Sequence, residues 1–287
     1  YRWVFLNLLY GQMTILIVWG VIKAFEAPIT GKIRKNLGLA FGVTLKILPI
    51  YMVGQLFLMR KWSTFLTVVL LSVIMVLLPY AYLPAGYHTE ILQSWLNNIN
   101  PFSKNHIVEL GEGGFIDMGA LITKYLTGLN IEGEARVDWF SMGTKGVFIF
   151  TQLFRLLVLS TCWFWLTKFR KLAFPQGDIL VMSIFLACIP LAFPHQRDYS
   201  LFMTWPLLLF VLHDAVFSSK TLGKITLVGL TIGATLMGVV VFFEALPFDL
   251  RRDISGYRIQ GLGGLIFLFF SQGYLWSKYK HLSDPIR

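Results

Sequence analysis

The sequence predicts an all-α membrane protein that crosses the bilayer several times, and two properties of the chain carry this prediction. Hydrophobic residues make up 56% of the 287 residues and only 14% are charged, whereas soluble domains carry about 25% charged residues. The apolar residues also gather into runs of about 20, the length that a helix needs to cross the hydrocarbon core. We therefore expect a single transmembrane domain over residues 1–287.

About eight apolar runs are candidates for transmembrane or re-entrant helices by this length rule. In chain order they are Trp3–Phe25, Leu37–Leu58, Ser63–Leu83, Gly146–Thr167, Ile179–Pro194, Tyr199–Phe217, Leu222–Phe243 and Ile259–Trp276.

The second run contains Lys46 and Pro49. A cation at bilayer depth is costly unless it faces protein, water or an anion, and the proline removes a backbone donor. The run is either an ordinary span or a re-entrant segment broken at this point, and we expect it to line a polar cavity.

Basic residues mark alternate ends of the later runs and predict the orientation. Cytoplasmic loops of membrane proteins collect Lys and Arg. We therefore place three basic clusters on the cytoplasmic side of what we expect to be the bacterial inner membrane: Lys168, Arg170 and Lys171; Lys220 and Lys224; Lys278, Lys280 and Arg287.

Residues 84–145 then form a long outer loop, because a segment of this length exceeds an ordinary connector. Within the loop, apolar residues recur at helical spacing over Phe115–Leu126. This spacing predicts an amphipathic helix on the outer membrane interface.

The remaining composition excludes several functions. The net charge of +10 reflects cytoplasmic loops, so we expect no nucleic-acid partner. Cys162 and Cys188 lie inside apolar runs and are interpreted as small core residues. No glycine-rich phosphate loop and no metal-binding motif occurs in the sequence, so no metal or cofactor is expected.

The chain enters an apolar run directly at Tyr1, without the basic region or cleavage site of a signal peptide. We expect it to be a fragment that lacks N-terminal helices and a first outer loop.

Three stretches of the chain resemble one family. They are Tyr10-Gly11-Gln12 with the later Lys46-Ile47-Leu48-Pro49 and Arg60-Lys61-Trp62; the helix start at Gly114-Phe115-Ile116-Asp117; and Pro194-His195-Gln196-Arg197-Asp198-Tyr199. This layout resembles the C-type glycosyltransferases of family 87 (the DUF2029 proteins), which include polyprenol-phosphate-mannose-dependent mannosyltransferases. The family often has Asn-Gln-Ser at the helix start, and this chain departs from that pattern at 114–117.

The resemblance implies a GT-C-like fold and an inverting glycosyltransferase. The donor would be a sugar, mannose or similar, on polyprenyl phosphate, and the acceptor a glycolipid or glycan on the outer face. The family's general base usually lies in the first outer loop, which would precede Tyr1.

Such an enzyme must hold an anionic phosphodiester and stabilise the charge of the leaving phosphate, which fixed cations in a low-dielectric site do well. His195 and Arg197 lie at the expected outer mouth of a helix and are our main candidates; the alternative is a loop pair bonded to Asp198. Lys46 could neutralise the same phosphate, or could extend its side chain to an interface.

Three further residues are candidates. Arg155 lies within an apolar run, where an arginine indicates a site by default, although a structural pair with a carboxylate is an equal alternative. Gln12 could bond sugar hydroxyls or another helix. Asp117 could bind the acceptor or act as a weak candidate for the base, or could cap a helix.

Two other functions remain open. A secondary transporter would use Lys46 and Arg155 along its path, and should show paired broken helices in two related halves. A non-catalytic membrane assembly subunit would leave Lys46, Arg155 and His195 scattered and paired locally.

Overall fold

The computed structural model describes residues 14–26, 33–45, 50–99, 115–127, 142–172, 176–193, 196–217, 223–238 and 257–283. In this part of the chain the residues are mostly helical and form no strand, so the prediction of an all-α protein is confirmed there. An isolated antiparallel bridge joins Phe115 to Arg197.

The described residues form eleven α-helices, and each predicted apolar run overlaps at least one of them. They are α1 (Thr14–Glu26), α2 (Ile33–Leu45), α3 (Ile50–Leu58), α4 (Trp62–Leu77), α5 (Ala85–Ile99), α6 (Met118–Leu126), α7 (Thr144–Lys171), α8 (Gly177–Ala192), α9 (Trp205–Phe217), α10 (Lys224–Gly238) and α11 (Ile259–Ser283). A 3₁₀ turn at Leu78–Ala81 extends α4, and another at Asp198–Thr204 leads into α9.

Among the described residues, three helical segments are long and apolar enough to cross a membrane: Trp62–Ala81, Thr144–Lys171 and Tyr199–Phe217. Their outward surfaces are apolar as well. Leu66, Leu70, Leu156 and Leu157, on α4 and α7, are 60–62% exposed. Soluble proteins rarely present large contiguous apolar surfaces to water, whereas such surfaces are stable against the hydrocarbon core of a membrane. These helices indicate a membrane protein.

The second predicted run contains two short helices. Helix α2 ends at Leu45 and α3 begins at Ile50, and neither has the 20 or so residues that a span needs. Residues 46–49 lie outside the described part, so the choice between a span and a re-entrant segment stays a prediction.

The contacts divide the chain into two compact units. The first, Tyr10–Ser103, contains α1 to α5. Its helices α1 and α2 meet at Gly20 and Gly38, where a Cβ atom added to Gly20 would lie 2.5 Å from the Gly38 carbonyl carbon. Small residues at such crossings let helix backbones approach closely.

Helix α3 ends in a Schellman motif. Arg60 has a positive φ of 56°, the Lys61 amide donates to the Leu56 carbonyl at 3.0 Å, and the Arg60 amide donates to the Phe57 carbonyl at 3.0 Å. These bonds satisfy carbonyls at the helix end and turn the chain into α4.

The described part of the second unit contains α6 to α11. Its central helix is α8, in which 14 of 16 residues are buried; a helix that is apolar all round belongs inside a bundle. Helices α10 and α11 run antiparallel in close contact, because Gly229 and Gly233 meet Phe270 and Phe267, while Gly263 meets Met237.

The helices of this unit share two ends. Toward one end, Arg155, the twelfth of the 28 residues of α7, bonds to Ala192 at the end of α8, and the start of α11 meets residues 115–116. We call this the Arg197 end. At the other end, Trp165 of α7 bonds to Gln272 of α11 at 2.7 Å, and Asp214 of α9 pairs with Lys278. We call this the Lys278 end.

Candidate functional site

The Arg197 end is held together by a short antiparallel contact between two loop segments. The Ile116 amide donates to the Gln196 carbonyl at 2.8 Å, next to the bridge between Phe115 and Arg197. The Arg197 guanidinium carbon lies 5.5 Å from the centre of the Phe115 ring, a distance at which a cation is attracted to an aromatic face. The Arg197 side chain is exposed.

Arg258 holds the same segment from the start of α11. Its side chain is 2% exposed, and its Nη1 donates to the Phe115 carbonyl at 2.7 Å. Its φ of 52° lies in the left-handed region, which is uncommon for a residue other than glycine. A buried charge in such a conformation persists only where its surroundings hold it in place.

Tyr125 connects α6 to the residue before Arg258, because its hydroxyl donates a hydrogen bond to the Tyr257 carbonyl. Burial raises the pKa of the Tyr125 phenol, and the charge of Arg258 opposes that rise. The hydroxyl therefore keeps its proton at neutral pH and remains a donor.

Asp117 caps α6. Its Oδ1 accepts the Ala120 amide at 3.1 Å, and the side chain is 2% exposed. A Cβ atom added to Gly119 would lie 3.1 Å from Asp117 Oδ1 and 3.9 Å from Thr151 Oγ1 of α7. The carboxylate therefore lies against the first half of α7.

Arg155 lies one turn beyond Thr151 on α7. Its Nε donates to the Ala192 carbonyl at 2.6 Å, and its guanidinium carbon lies 6.0 Å from the centre of the Phe193 ring. The last carbonyls of a helix have no partner within the helix, so Arg155 satisfies one of them at the end of α8.

Two neutral polar groups complete the surroundings. In the part of the chain that the structure describes, Gln152 Nε2 on α7 and Thr123 Oγ1 on α6 are buried without a hydrogen-bond partner. Buried polar atoms are nearly always bonded. Gln152 lies one turn before Arg155 on α7, and Thr123 lies in the second turn of α6. An amide and a hydroxyl are suited to the hydroxyl groups of a sugar.

A groove runs between α7, α8 and α11, from Phe154 toward Gln272. Its volume is about 370 Å³, and its lining is almost entirely apolar: Phe154, Leu157, Val158, Thr161, Cys188, Leu265, Leu268, Phe269 and Gln272. Leu157 is 62% exposed and Phe269 73%, so the groove is open along the surface that would face hydrocarbon. Gly264, which precedes Leu265 of the lining, lies against Leu191 of α8.

Cationic side chains are concentrated toward the Arg197 end. Arg197 and Arg258 both contact Phe115, Arg155 bonds to the end of α8, and Lys124 of α6 is buried at 4% exposure. Guanidinium groups bind phosphate and carboxylate through paired donors. Around the described residues we find no group of three or more His, Cys, Asp or Glu side chains that could hold a metal ion.

The predicted site residues are placed as follows. Arg197, Arg155 and Asp117 belong to one unit and lie at one end of it. His195, Lys46 and Gln12 lie outside the described residues, so their predicted roles stay predictions. Asp117 has the helix-capping contact that the sequence offered as its alternative role.

The sequence analysis missed Arg258, Gln152 and Thr123. Arg258 directly precedes the glycine-rich start of α11, and Gln152 is a polar residue one turn before Arg155 in an apolar run. An arginine before a helix and a glutamine within an apolar run can both be recognised in a sequence. Their positions relative to each other in the folded protein depend on how the helices pack.

Fold and site together indicate a helical membrane protein, whose described residues include two arginines at Phe115 and an apolar groove between α7, α8 and α11. No protein-family model, curated protein or solved structure matches this chain.

Proposed function

We propose that the chain is a multi-pass glycosyltransferase of the C type in the bacterial inner membrane. It would move a sugar such as mannose from a polyprenyl-phosphate donor to a glycolipid or glycan acceptor at the outer face, with inversion. The motif resemblance to family 87 supports this proposal from the sequence.

The observation that carries the proposal is the apolar groove that reaches Phe154, the residue before Arg155. A polyprenyl-phosphate sugar is an anion attached to a long hydrocarbon chain, so its site must combine cations with a lipid-accessible apolar surface. Arg155 and Phe154 are neighbours on α7, and Phe154 lines the groove. The groove volume of about 370 Å³ lies within the range of small-molecule sites, about 300–1,000 Å³.

The chemistry assigned to each part follows from its surroundings. The groove takes the first part of the polyprenyl chain, while the exposed Arg197 binds the phosphate and stabilises it as the leaving group. Gln152 and Thr123 bond sugar hydroxyls. His195 and Lys46 remain proposed ligands of the donor. Asp117 is assigned to helix capping.

The test uses the purified protein in liposomes with radiolabelled polyprenyl-phosphate mannose and a lipid acceptor. Loss of one charged hydrogen bond to phosphate lowers affinity by about tenfold or more, so we expect Arg197→Gln to reduce both donor binding and transfer to this extent. Arg170→Gln, which changes an exposed arginine at the opposite end of α7, is the matched control.

The alternatives predict different results. Tight donor binding without transfer to any acceptor would indicate a non-catalytic assembly subunit. Absence of donor binding together with solute uptake into the liposomes would indicate a transporter. If Arg197→Gln were as active as Arg170→Gln and the unaltered protein, Arg197 would not bind the donor.

A further inference from the structure

A second cluster of cations and aromatic rings lies at the Lys278 end, between α7 and α11. Lys168 Nζ lies 5.4 Å from the centre of the Phe164 ring and 5.3 Å from that of Tyr279. Lys280 Nζ lies 5.6 Å from the centre of the Trp276 ring. We call these five residues the Lys168–Lys280 patch.

The rings of this patch form a continuous surface across the two helices. Trp276 and Tyr279 are stacked at 6.1 Å between ring centres, and Tyr279 meets Phe169 of α7 edge to face. Trp276 is 45% exposed and Phe164 42%. The patch therefore presents apolar ring faces outward, with two ammonium groups directly above them.

Further cations surround the patch. Arg170 and Lys171 end α7, and their side chains are exposed. The nearby carboxylate of Asp214 is engaged within the bundle, because it accepts Lys278 Nζ at 2.5 Å and the Tyr274 hydroxyl at 2.8 Å. The five residues of the patch itself thus carry two ammonium groups and no carboxylate.

We propose that the Lys168–Lys280 patch binds the headgroup phosphate of an anionic phospholipid, whose acyl chains lie against Phe164 and Trp276. Aromatic rings at headgroup depth and adjacent lysines match an amphiphile with a negative head. A zwitterionic lipid fits less well, because its own cation meets the lysines. A soluble phosphate lacks the chains that the exposed rings would cover.

This inference does not depend on the proposed glycosyltransferase activity, since the patch lies at the opposite end of α7 from Arg197. It requires only that the helices are embedded in a bilayer.

The experiment reconstitutes the purified protein in phosphatidylcholine vesicles that contain a few per cent of spin-labelled phosphatidylglycerol or, in a parallel sample, spin-labelled phosphatidylcholine. Electron spin resonance measures the fraction of each label that the protein immobilises. Each surface cation contributes roughly a fivefold preference for anionic lipid. We therefore expect selectivity for phosphatidylglycerol that falls by more than tenfold in Lys168→Gln/Lys280→Gln.

Two control variants and a soluble competitor test whether the selectivity arises at this patch. Lys145→Gln removes an exposed lysine from the other end of α7 and should leave the selectivity unchanged, while Lys168→Arg/Lys280→Arg should retain it. Soluble glycerophosphoglycerol at millimolar concentration should not displace the labelled lipid.

Equal immobilisation of the two labels by the unaltered protein would overturn the inference. So would unchanged selectivity in Lys168→Gln/Lys280→Gln. Displacement by glycerophosphoglycerol would identify the ligand as a soluble phosphate and would equally overturn it.

Discussion

At the scale of single residues, Arg155 shows how a polar group inside an apolar run acquires a structural bond. Its Nε satisfies the Ala192 carbonyl, and Phe154, the residue before it, lines the groove. The sequence predicted an important cation here, but left open whether it binds a ligand or a partner in the protein. The structure adds the backbone partner.

Replacement of Arg155 by Met should destabilise the protein by about 2 kcal/mol, because it removes a charged hydrogen bond and leaves a helix-end carbonyl unsatisfied. Thermal unfolding in detergent measures this change. Arg170→Met, at an exposed position, should stay within about 0.5 kcal/mol of the unaltered protein. Equal stabilities of the two variants would contradict the bond to Ala192.

The pair of Asp214 and Lys278 gives a second residue-scale prediction. Their side chains are 8% and 11% exposed, so Asp214→Asn should leave a buried ammonium without its counter-charge and cost about 3 kcal/mol. The double variant Asp214→Leu/Lys278→Met should recover most of that loss, since it removes both charges. Unfolding of the three proteins in detergent tests the sign, and a double variant less stable than Asp214→Asn would argue against the pair.

At the scale of elements, hydropathy located the helices well and their ends less well. Each predicted apolar run overlaps a helix, because an apolar segment in a membrane must form its backbone hydrogen bonds within itself. The bounds differ where local chemistry intervenes. The helix expected over Phe115–Leu126 begins at Met118, since Asp117 caps it and residues 115–116 bond to the segment at 196–197.

Contacts between elements depend on small residues at specific positions. A Cβ atom added to Gly233 would lie 2.6 Å from the Phe267 backbone nitrogen, whereas one added to Gly238 of the same helix meets nothing within 4 Å. Both glycines lie on α10, yet only the first is at the contact with α11.

Gly233→Ala should therefore destabilise the α10–α11 contact by about 1–3 kcal/mol through overpacking. Gly238→Ala should be neutral or stabilising, because alanine favours helix over glycine by up to about 1 kcal/mol. Thermal unfolding of the two variants in detergent compares them directly. A Gly233→Ala protein as stable as the Gly238→Ala protein would show that the helices do not meet there.

At the scale of the whole molecule, the basic residues and the helix contacts agree on two distinct ends of the second unit. Lys168, Arg170 and Lys171 belong to the Lys278 end, which the sequence assigns to the cytoplasm. Helix α7 has 28 residues and so extends about 42 Å at 1.5 Å per residue, enough to reach from one end of the unit to the other through a bilayer.

Cysteine labelling tests this orientation. Cys162 and Cys188 are buried, so replacing both by Ala gives a background without thiols. Into it we place Gly143→Cys or Ser283→Cys, both at exposed positions. A membrane-impermeant maleimide applied to intact cells should label the first variant, and should label the second only after permeabilisation. Labelling of both in intact cells would contradict the predicted orientation.

The sequence by itself determined the class of the protein, because composition and run length decide whether a chain must satisfy its backbone in hydrocarbon. It also singled out Arg155 and Arg197 as residues that need an explanation. Only the tertiary structure decided that Arg197 and Arg258, far apart along the chain, both contact Phe115, and that Arg155 bonds to the end of α8. The physical reason is that a site of this kind is made by helix packing, through contacts such as Gly261 against the Ile116 carbonyl, and no local pattern in the sequence specifies which helices meet.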